Sequence, residues 1–238
     1  MLKAVFFDMD DTLCDFTSSE RQARRIMCEG VARDYNLDSS LVEEVYRAIS
    51  LEALKRHPNM EVNLSLWPTV QSFRAEVWGR VFSKLGLRNY EPAPSLAAQH
   101  ERIRREHLRL YPDALPILNA LHGHFPLVLV SNGPADVQRD EANLLGLSRF
   151  FNVMLFEGEL GFGKPDRRVF DLGLSHTRSA SSEVIFIGDS LLTDIQGAKG
   201  AGLQAVWVNR NGRSREDNQP QPDFEIRGLR ELETILFR

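Results

Sequence analysis

Apolar residues change their spacing twice along this chain, and each change marks a different kind of secondary structure. Ala4-Val-Phe-Phe7 is a short, unbroken run of β-favouring residues that stops at Asp8, as a strand buried on both faces reads. From Thr17 to about Arg109 apolar residues recur at helical spacing among many charges, as in Ile26, Val31 and Tyr35 or Phe73, Val77 and Phe82. Breaks at Asn36 to Ser40, at His57-Pro58 through Trp67-Pro68 and at Gly86 through Pro94 divide this block into about four helices.

Beyond Tyr111-Pro112 the pattern alternates. Helices are predicted over 114–121, 135–145, 165–174 and 194–201, and strands over 127–130, 153–156, 184–187 and 205–208. A polar loop from Asn209 to Pro222 leads to a short strand, Phe224 to Ile226, and a terminal helix. Such alternation predicts an α/β fold, a doubly wound parallel sheet covered by helices on both faces. The first strand is separated from its partners by roughly a hundred mainly helical residues, where an ordinary crossover takes about a dozen. Residues 17–109 are therefore expected to form an inserted all-helical cap domain, with 1–16 and 110–238 forming the core. A cap above the C-terminal edge of the sheet would close a cleft where such sheets bind ligands.

Composition narrows the class. With 42% hydrophobic and 26% charged residues, the chain is neither disordered nor fibrous. A net charge of -4 gives no broad attraction for a nucleic acid polymer. Cys14 and Cys28 are too few for a cysteine metal cage and are read as reduced thiols. The opening MLKAVFFDMDDTL is broken by acids too early for a signal peptide or a membrane span, so a cytoplasmic protein with no membrane partner is expected.

The chemistry gathers at strand ends. Three predicted core strands run into polar residues, at Asp8, at Ser131 and at Gly188-Asp189, and in a parallel sheet these ends share one edge. Any one of them alone reads more readily as a helix cap; three together mark the expected site. Asp8-Met-Asp10-Asp11-Thr12 holds three carboxylates within four positions, and oxygen donors so crowded suit Mg²⁺. Asp189 and Asp194 form a second acidic group that would complete the cation site, although Asp194 is also a natural helix-start acid. Lys164, in Gly161-Phe-Gly-Lys-Pro-Asp166, is expected at a helix entrance with Pro165 in the first turn, as a phosphate dock. Gly158 to Lys164 also fits the first seven positions of a G-x-x-x-x-G-K-[ST] phosphate loop. Pro165 then breaks the match, because it has neither the hydroxyl nor the backbone N–H required.

Taken in order, these residues resemble the four motifs of the haloacid dehalogenase superfamily in its Mg²⁺-dependent phosphatase branch. Phe6-Phe-Asp-Met-Asp-Asp-Thr-Leu13 resembles motif I, Val130-Ser-Asn-Gly133 motif II, Gly163-Lys-Pro-Asp166 motif III and Gly188-Asp-Ser-Leu-Leu-Thr-Asp194 motif IV. The resemblance implies a Rossmann-like core and a cap inserted after motif I. It implies that Asp8 is the nucleophile, forming an aspartyl-phosphate, and that Asp10 protonates the leaving oxygen and then activates water. It further implies that Mg²⁺ is held by Asp8, the Asp10 backbone carbonyl and Asp189, with Asp194 a further ligand or an outer support. Ser131 and Lys164 would hold the phosphate oxygens, assisted by backbone amides around Asp11 and Asn132.

The expected substrate is a small phosphorylated metabolite, with the nucleotidase and sugar-phosphate phosphatase groups the nearest in character. Members that cleave carbon–halogen bonds lack an acid two residues after the nucleophile, so Asp10 points to phosphate. Phosphomutase-type transfer and a non-enzymatic phosphoaspartate module are the alternatives. Of the remaining polar and aromatic residues, His122 and His124 read as helix-end residues, the Arg102 to Arg109 run as a solvated face, and Trp67, Phe73 and Trp78 chiefly as packing.

Overall fold

Four consecutive residues with no solvent exposure, Ala4 to Phe7, form strand β1 (Ala4–Phe7). The computed structural model describes residues 1–56, 70–87 and 93–237. Helices α1 (Phe16–Asp34), α2 (Ser39–Arg56), α3 (Val70–Lys84) and α4 (Ala93–His107) follow. The chain then alternates through α5 (Ala114–Leu121), β2 (Leu127–Ser131), α6 (Ala135–Leu144), β3 (Val153–Phe156), α7 (Glu157–Leu160), α8 (Arg167–Thr177), β4 (Val184–Gly188), α9 (Gln196–Gly200), β5 (Gln204–Val208), β6 (Phe224–Ile226) and α10 (Leu232–Leu236).

The strands form one sheet in the order β3-β2-β1-β4-β5-β6, every pairing parallel, as the alternating pattern predicts. Successive strands add outward from β1, first on one side and then on the other, so the winding direction reverses between β1 and β4. The register aligns Phe7 with Leu129 and Ile187, which brings Asp8, Ser131 and Asp189 out at the same edge. The unbroken apolar runs of the central strands reflect burial on both faces.

The chain divides into two compact units, Met1–Asp15 with Arg109–Arg238, and Phe16–Leu108. The helical unit has its own core, in which Met27, Val31, Tyr46, Trp78, Phe82, Leu96 and Ile103 are buried together. Trp78 is the centre of this core: its ring lies 4.8 Å from Tyr46 and its indole N–H donates to His100 Nδ1 at 3.3 Å. Phe73 packs against the same cluster, so both aromatics serve packing, whereas Trp67 and the 58–68 loop fall outside the described residues.

Arg104 corrects the expectation of a solvated basic face. It is 1% exposed, lies 4.8 Å above the Phe16 ring and pairs with Glu101 at 2.7 Å. Its apolar stem fills core space while the carboxylate satisfies its head. Arg74 is buried alongside, paired with Glu101 and, at 2.7 Å, with Glu20, which also faces His100 Nε2 at 2.9 Å.

That network makes the helical unit sensitive to acid. Burial alone would raise the Glu20 carboxyl, but Arg74 and His100 outweigh it and hold the group well below its ordinary range. A depressed carboxyl contributes stability that is complete above the unfolded value of 4.5 and is lost as pH falls through the folded value. Glu20→Gln should cost about 1–3 kcal/mol at neutral pH. The gap between the melting curves of mutant and wild type should close as the pH is taken below 4.5; a gap constant with pH would refute the pairing.

Local chemistry moved two element boundaries and added one short turn. α8 starts at Arg167 rather than Pro165 because the Asp166 side chain caps it, accepting from the Arg168 N–H at 2.9 Å. The helix expected from Asp194 is preceded by a π-helical turn, Leu191–Ile195, since Ser190 accepts from the Thr193 N–H and Asp194 accepts from the Ser190 N–H. α7 is a single turn within what reads as a loop. His122 and His124 pack edge-on against Phe150 and Phe237. Cys14 and Cys28 are buried free thiols, and among the described residues no helix is long and apolar enough to cross a membrane.

Candidate active site

The first turn after β1 places its acids by backbone geometry. The Asp8 N–H donates to the Ile187 carbonyl at 2.9 Å, extending the sheet pairing one residue past the strand. Asp11 sits in the left-handed region at φ 56, a conformation that Asp tolerates better than branched residues. The chain thereby turns back, with Leu13 and Cys14 N–H groups both bonded to the Met9 carbonyl. Asp8 is buried, and Asp10 is partly exposed.

At the centre of the edge stands Lys164, 3% exposed. Its ammonium lies 2.5 Å from Asp8 Oδ1 and 2.8 Å from Asp194 Oδ1. Asn132 fixes the lysine from behind: its side-chain amide donates to the Lys164 carbonyl and accepts from the Lys164 N–H, both at 2.8 Å. Gly163 permits this clamp, because a Cβ there would lie 2.6 Å from Asn132 Oδ1. The Asn132 side chain is thus engaged with the backbone, and what it brings to the site is the position of Lys164.

Asp189 emerges from β4 with its carbonyl accepting from the Trp207 indole at 2.8 Å and from Arg213 at 2.9 Å. Asp194 returns beneath it. A Cβ at residue 188 would fall 2.4 Å from the Asp194 carboxylate, so glycine is required for that approach. Carboxylate oxygens of Asp8, Asp189 and Asp194 lie within 4.8 Å of one another. The Asp10 carboxylate does not join them; it accepts from Gln138 Nε2 at 3.1 Å and lies 3.5 Å from the Cys14 sulfur.

The electrostatics are those of crowded acids sharing too little positive charge. Burial pushes Asp8 up to about 6 despite the opposing pull of Lys164, with Asp194 adding to the rise. Burial, then the charges of Asp194, Asp8 and Asp11, push Asp189 up to about 8, against Arg213. Burial alone would lower the Lys164 ammonium, yet Asp194 and Asp8 overcome it and hold it above its ordinary value. One ammonium among three clustered carboxylates leaves net negative charge in a poorly solvated place. An all-oxygen donor set of this kind fits a hard divalent cation.

Sequence reasoning missed four members of this edge. Gln138, 4% exposed on the first turns of α6, accepts from Ser131 Oγ at 2.7 Å as well as donating to Asp10. Glu157, also buried, accepts from the Gly133 N–H at 3.0 Å. Arg210 reaches the Thr12 carbonyl at 3.0 Å while bound to Asp113 and stacked 3.7 Å from the Tyr111 ring. Arg213 lies on the 209–222 loop, which reads only as polar. A polar residue one helical turn past motif II was the available signal for Gln138; for Arg210 and Arg213 nothing local marked them.

A doubly wound parallel sheet with acids and a lysine gathered where its winding reverses defines an α/β enzyme with its chemistry at the strand ends. The chain belongs to the haloacid dehalogenase-like hydrolase family, whose model matches residues 2–202. It is 31% identical to the phosphoserine phosphatase of Thermus thermophilus, across 97% of this chain and 98% of that one. Its fold superimposes on the HAD-hydrolase YfnB from Bacillus subtilis bound to magnesium with a TM-score of 0.77, at 25% identity, covering 99% and 98% of the two chains. The 2-haloacid dehalogenase from Pseudomonas syringae is similar too, with a TM-score of 0.67 and 28% identity over 100% of this chain and 99% of that one.

Proposed function

We propose that this protein is a phosphatase that hydrolyses a small phosphate monoester in two steps through an aspartyl-phosphate on Asp8. The observation that carries this reading is the buried cluster in which Lys164 bridges Asp8 and Asp194 while Asp189 stands within the same few ångströms. A carboxylate nucleophile needs no deprotonating base, but it repels a phosphate dianion unless positive charge lies between them. Lys164 supplies part of that charge. Asp8, the Asp10 carbonyl and Asp189 would hold Mg²⁺, which when bound would shield the nucleophile from the phosphate oxygens. Both oxygens of Asp194 face protein donors, Lys164 and the Ser190 N–H, which favours the outer-support role for it.

In the first step an Asp8 oxygen forms a bond to phosphorus, the ester P–O bond breaks, and Asp10 gives its proton to the departing alkoxide. In the second, Asp10 takes a proton from water whose oxygen attacks the same phosphorus, releasing inorganic phosphate and restoring Asp8. Asp10 also separates this reading from a dehalogenase, because halide departs without a proton. The helical unit is assigned the role of the family's cap and with it the choice of leaving group, within the nucleotide and sugar-phosphate class.

Purified protein with millimolar Mg²⁺ should release inorganic phosphate from p-nitrophenyl phosphate and lose that activity in EDTA. In the absence of substrate Mg²⁺ should raise the melting temperature, by about 2.7 kcal/mol of stability at a hundred times its dissociation constant, and Asp189→Asn should remove most of the rise. No turnover of any monoester in a broad phosphometabolite panel, or turnover indifferent to EDTA, would overturn the proposal.

A further inference from the structure

Gln138 touches both groups that the two-step reaction would use away from the nucleophile. Its carboxamide accepts from Ser131 Oγ at 2.7 Å and donates to Asp10 Oδ2 at 3.1 Å. The amide presents its NH₂ to Asp10 and its oxygen to the serine hydroxyl, which uses both ends of the carboxamide. The side chain is also walled in. Gly133, at φ +120, lies so close that a Cβ there would sit 3.4 Å from Nε2 and 3.5 Å from Cγ. Gln138 is further anchored through its own N–H, which donates to the Pro134 carbonyl at 3.0 Å.

We propose that Gln138 is a positioning residue, which ties the Asp10 carboxylate to the phosphate-binding hydroxyl of Ser131. By donating to Oδ2 it fixes the rotamer in which Asp10 meets the leaving group and, later, the water. A carboxylate misplaced by about 1 Å delivers its proton as much as 10²-fold more slowly. The expected signature is therefore a change in the sensitivity of the first step to the leaving group. p-Nitrophenolate departs unassisted, whereas phenolate needs the proton that Asp10 carries. This inference rests on the phosphatase reading above, in which Asp10 is the acid and base.

The experiment is single-turnover phosphorylation of Asp8, followed by release of phenol or p-nitrophenol, in wild type, Gln138→Leu and Gln138→Glu. Gln138→Glu keeps the side-chain volume and an acceptor for Ser131 but has no N–H to offer Asp10, so it carries the test should the leucine variant fold poorly. In both variants phenyl phosphate should react about 10- to 100-fold more slowly than in wild type, while p-nitrophenyl phosphate changes little in this step. Because the second step also uses Asp10, p-nitrophenyl phosphate in excess over the protein should give a burst close to one equivalent, followed by slow turnover. An equal fractional loss for both esters, or no loss for either, overturns the inference. The phosphatase reading fails separately, when wild type is inert or Asp8→Asn remains active.

Discussion

Asp8→Asn should lower turnover of p-nitrophenyl phosphate by about 10³-fold or more, because in the proposed mechanism an amide oxygen would not form the covalent phospho-enzyme and no other carboxylate would replace it. Asp194 has its oxygens turned to Lys164 and the Ser190 N–H, and Asp10 is held by Gln138. The same substitution should leave stability nearly unchanged. Burial already works against the Asp8 charge, pushing its carboxyl up to about 6, so a neutral side chain of equal size removes a penalty while it removes a partner from Lys164. Activity and melting temperature should therefore separate, the first collapsing and the second moving by no more than a few degrees. Residual activity within tenfold of wild type would remove Asp8 from the chemistry altogether.

The second large effect is the reverse. Lys164→Met removes the ammonium that stands 2.5 Å from Asp8 and 2.8 Å from Asp194, leaving two buried carboxylates facing each other. Breaking a buried ion pair from one side costs about 3–5 kcal/mol, which for a chain of this length is a fall in melting temperature of roughly 6–20 °C. Turnover should fall with it, since the phosphate loses a cation at its oxygens. Millimolar Mg²⁺ should restore part of the lost stability by neutralising the same acids, and Lys164→Arg should be intermediate because the wider guanidinium does not fit the space of the ammonium. A melting temperature within about 2 °C of wild type in metal-free buffer would mean that the lysine does not hold the cluster together.

The two predictions draw on different parts of the chain's legibility. Asp8 could be read directly, because a strand buried on both faces cannot continue through a carboxylate, and the acid must fall at the strand's end. Lys164 was legible as to type and neighbourhood, but its expected place at a helix entrance was displaced by Asp166, whose side chain caps α8 two residues later. Asn132 was expected to help hold phosphate through its backbone amide, and the sequence did not mark the second task of its side chain, which holds both backbone groups of Lys164. Arg104 was expected in solvent and is 1% exposed, because helical spacing shows which face a residue occupies and not what covers that face.

By itself, the order of apolar and polar residues determined the parallel sheet, the helical stretch between the first strand and its partners, and the strand ends at which acids, a serine and a lysine collect. Those features are local: each depends on periodicity or on a residue that cannot stay inside a strand. Only the tertiary structure decided which side chains meet there. Gln138 joining Asp10 across 128 positions, Arg210 reaching the Thr12 carbonyl across 198 and Arg213 bracing Asp189 across 24 are contacts between elements far apart in the chain. Such pairings are set by strand order and helix packing, and these polar residues stand in loops or on helix faces where their own neighbours in sequence impose no partner.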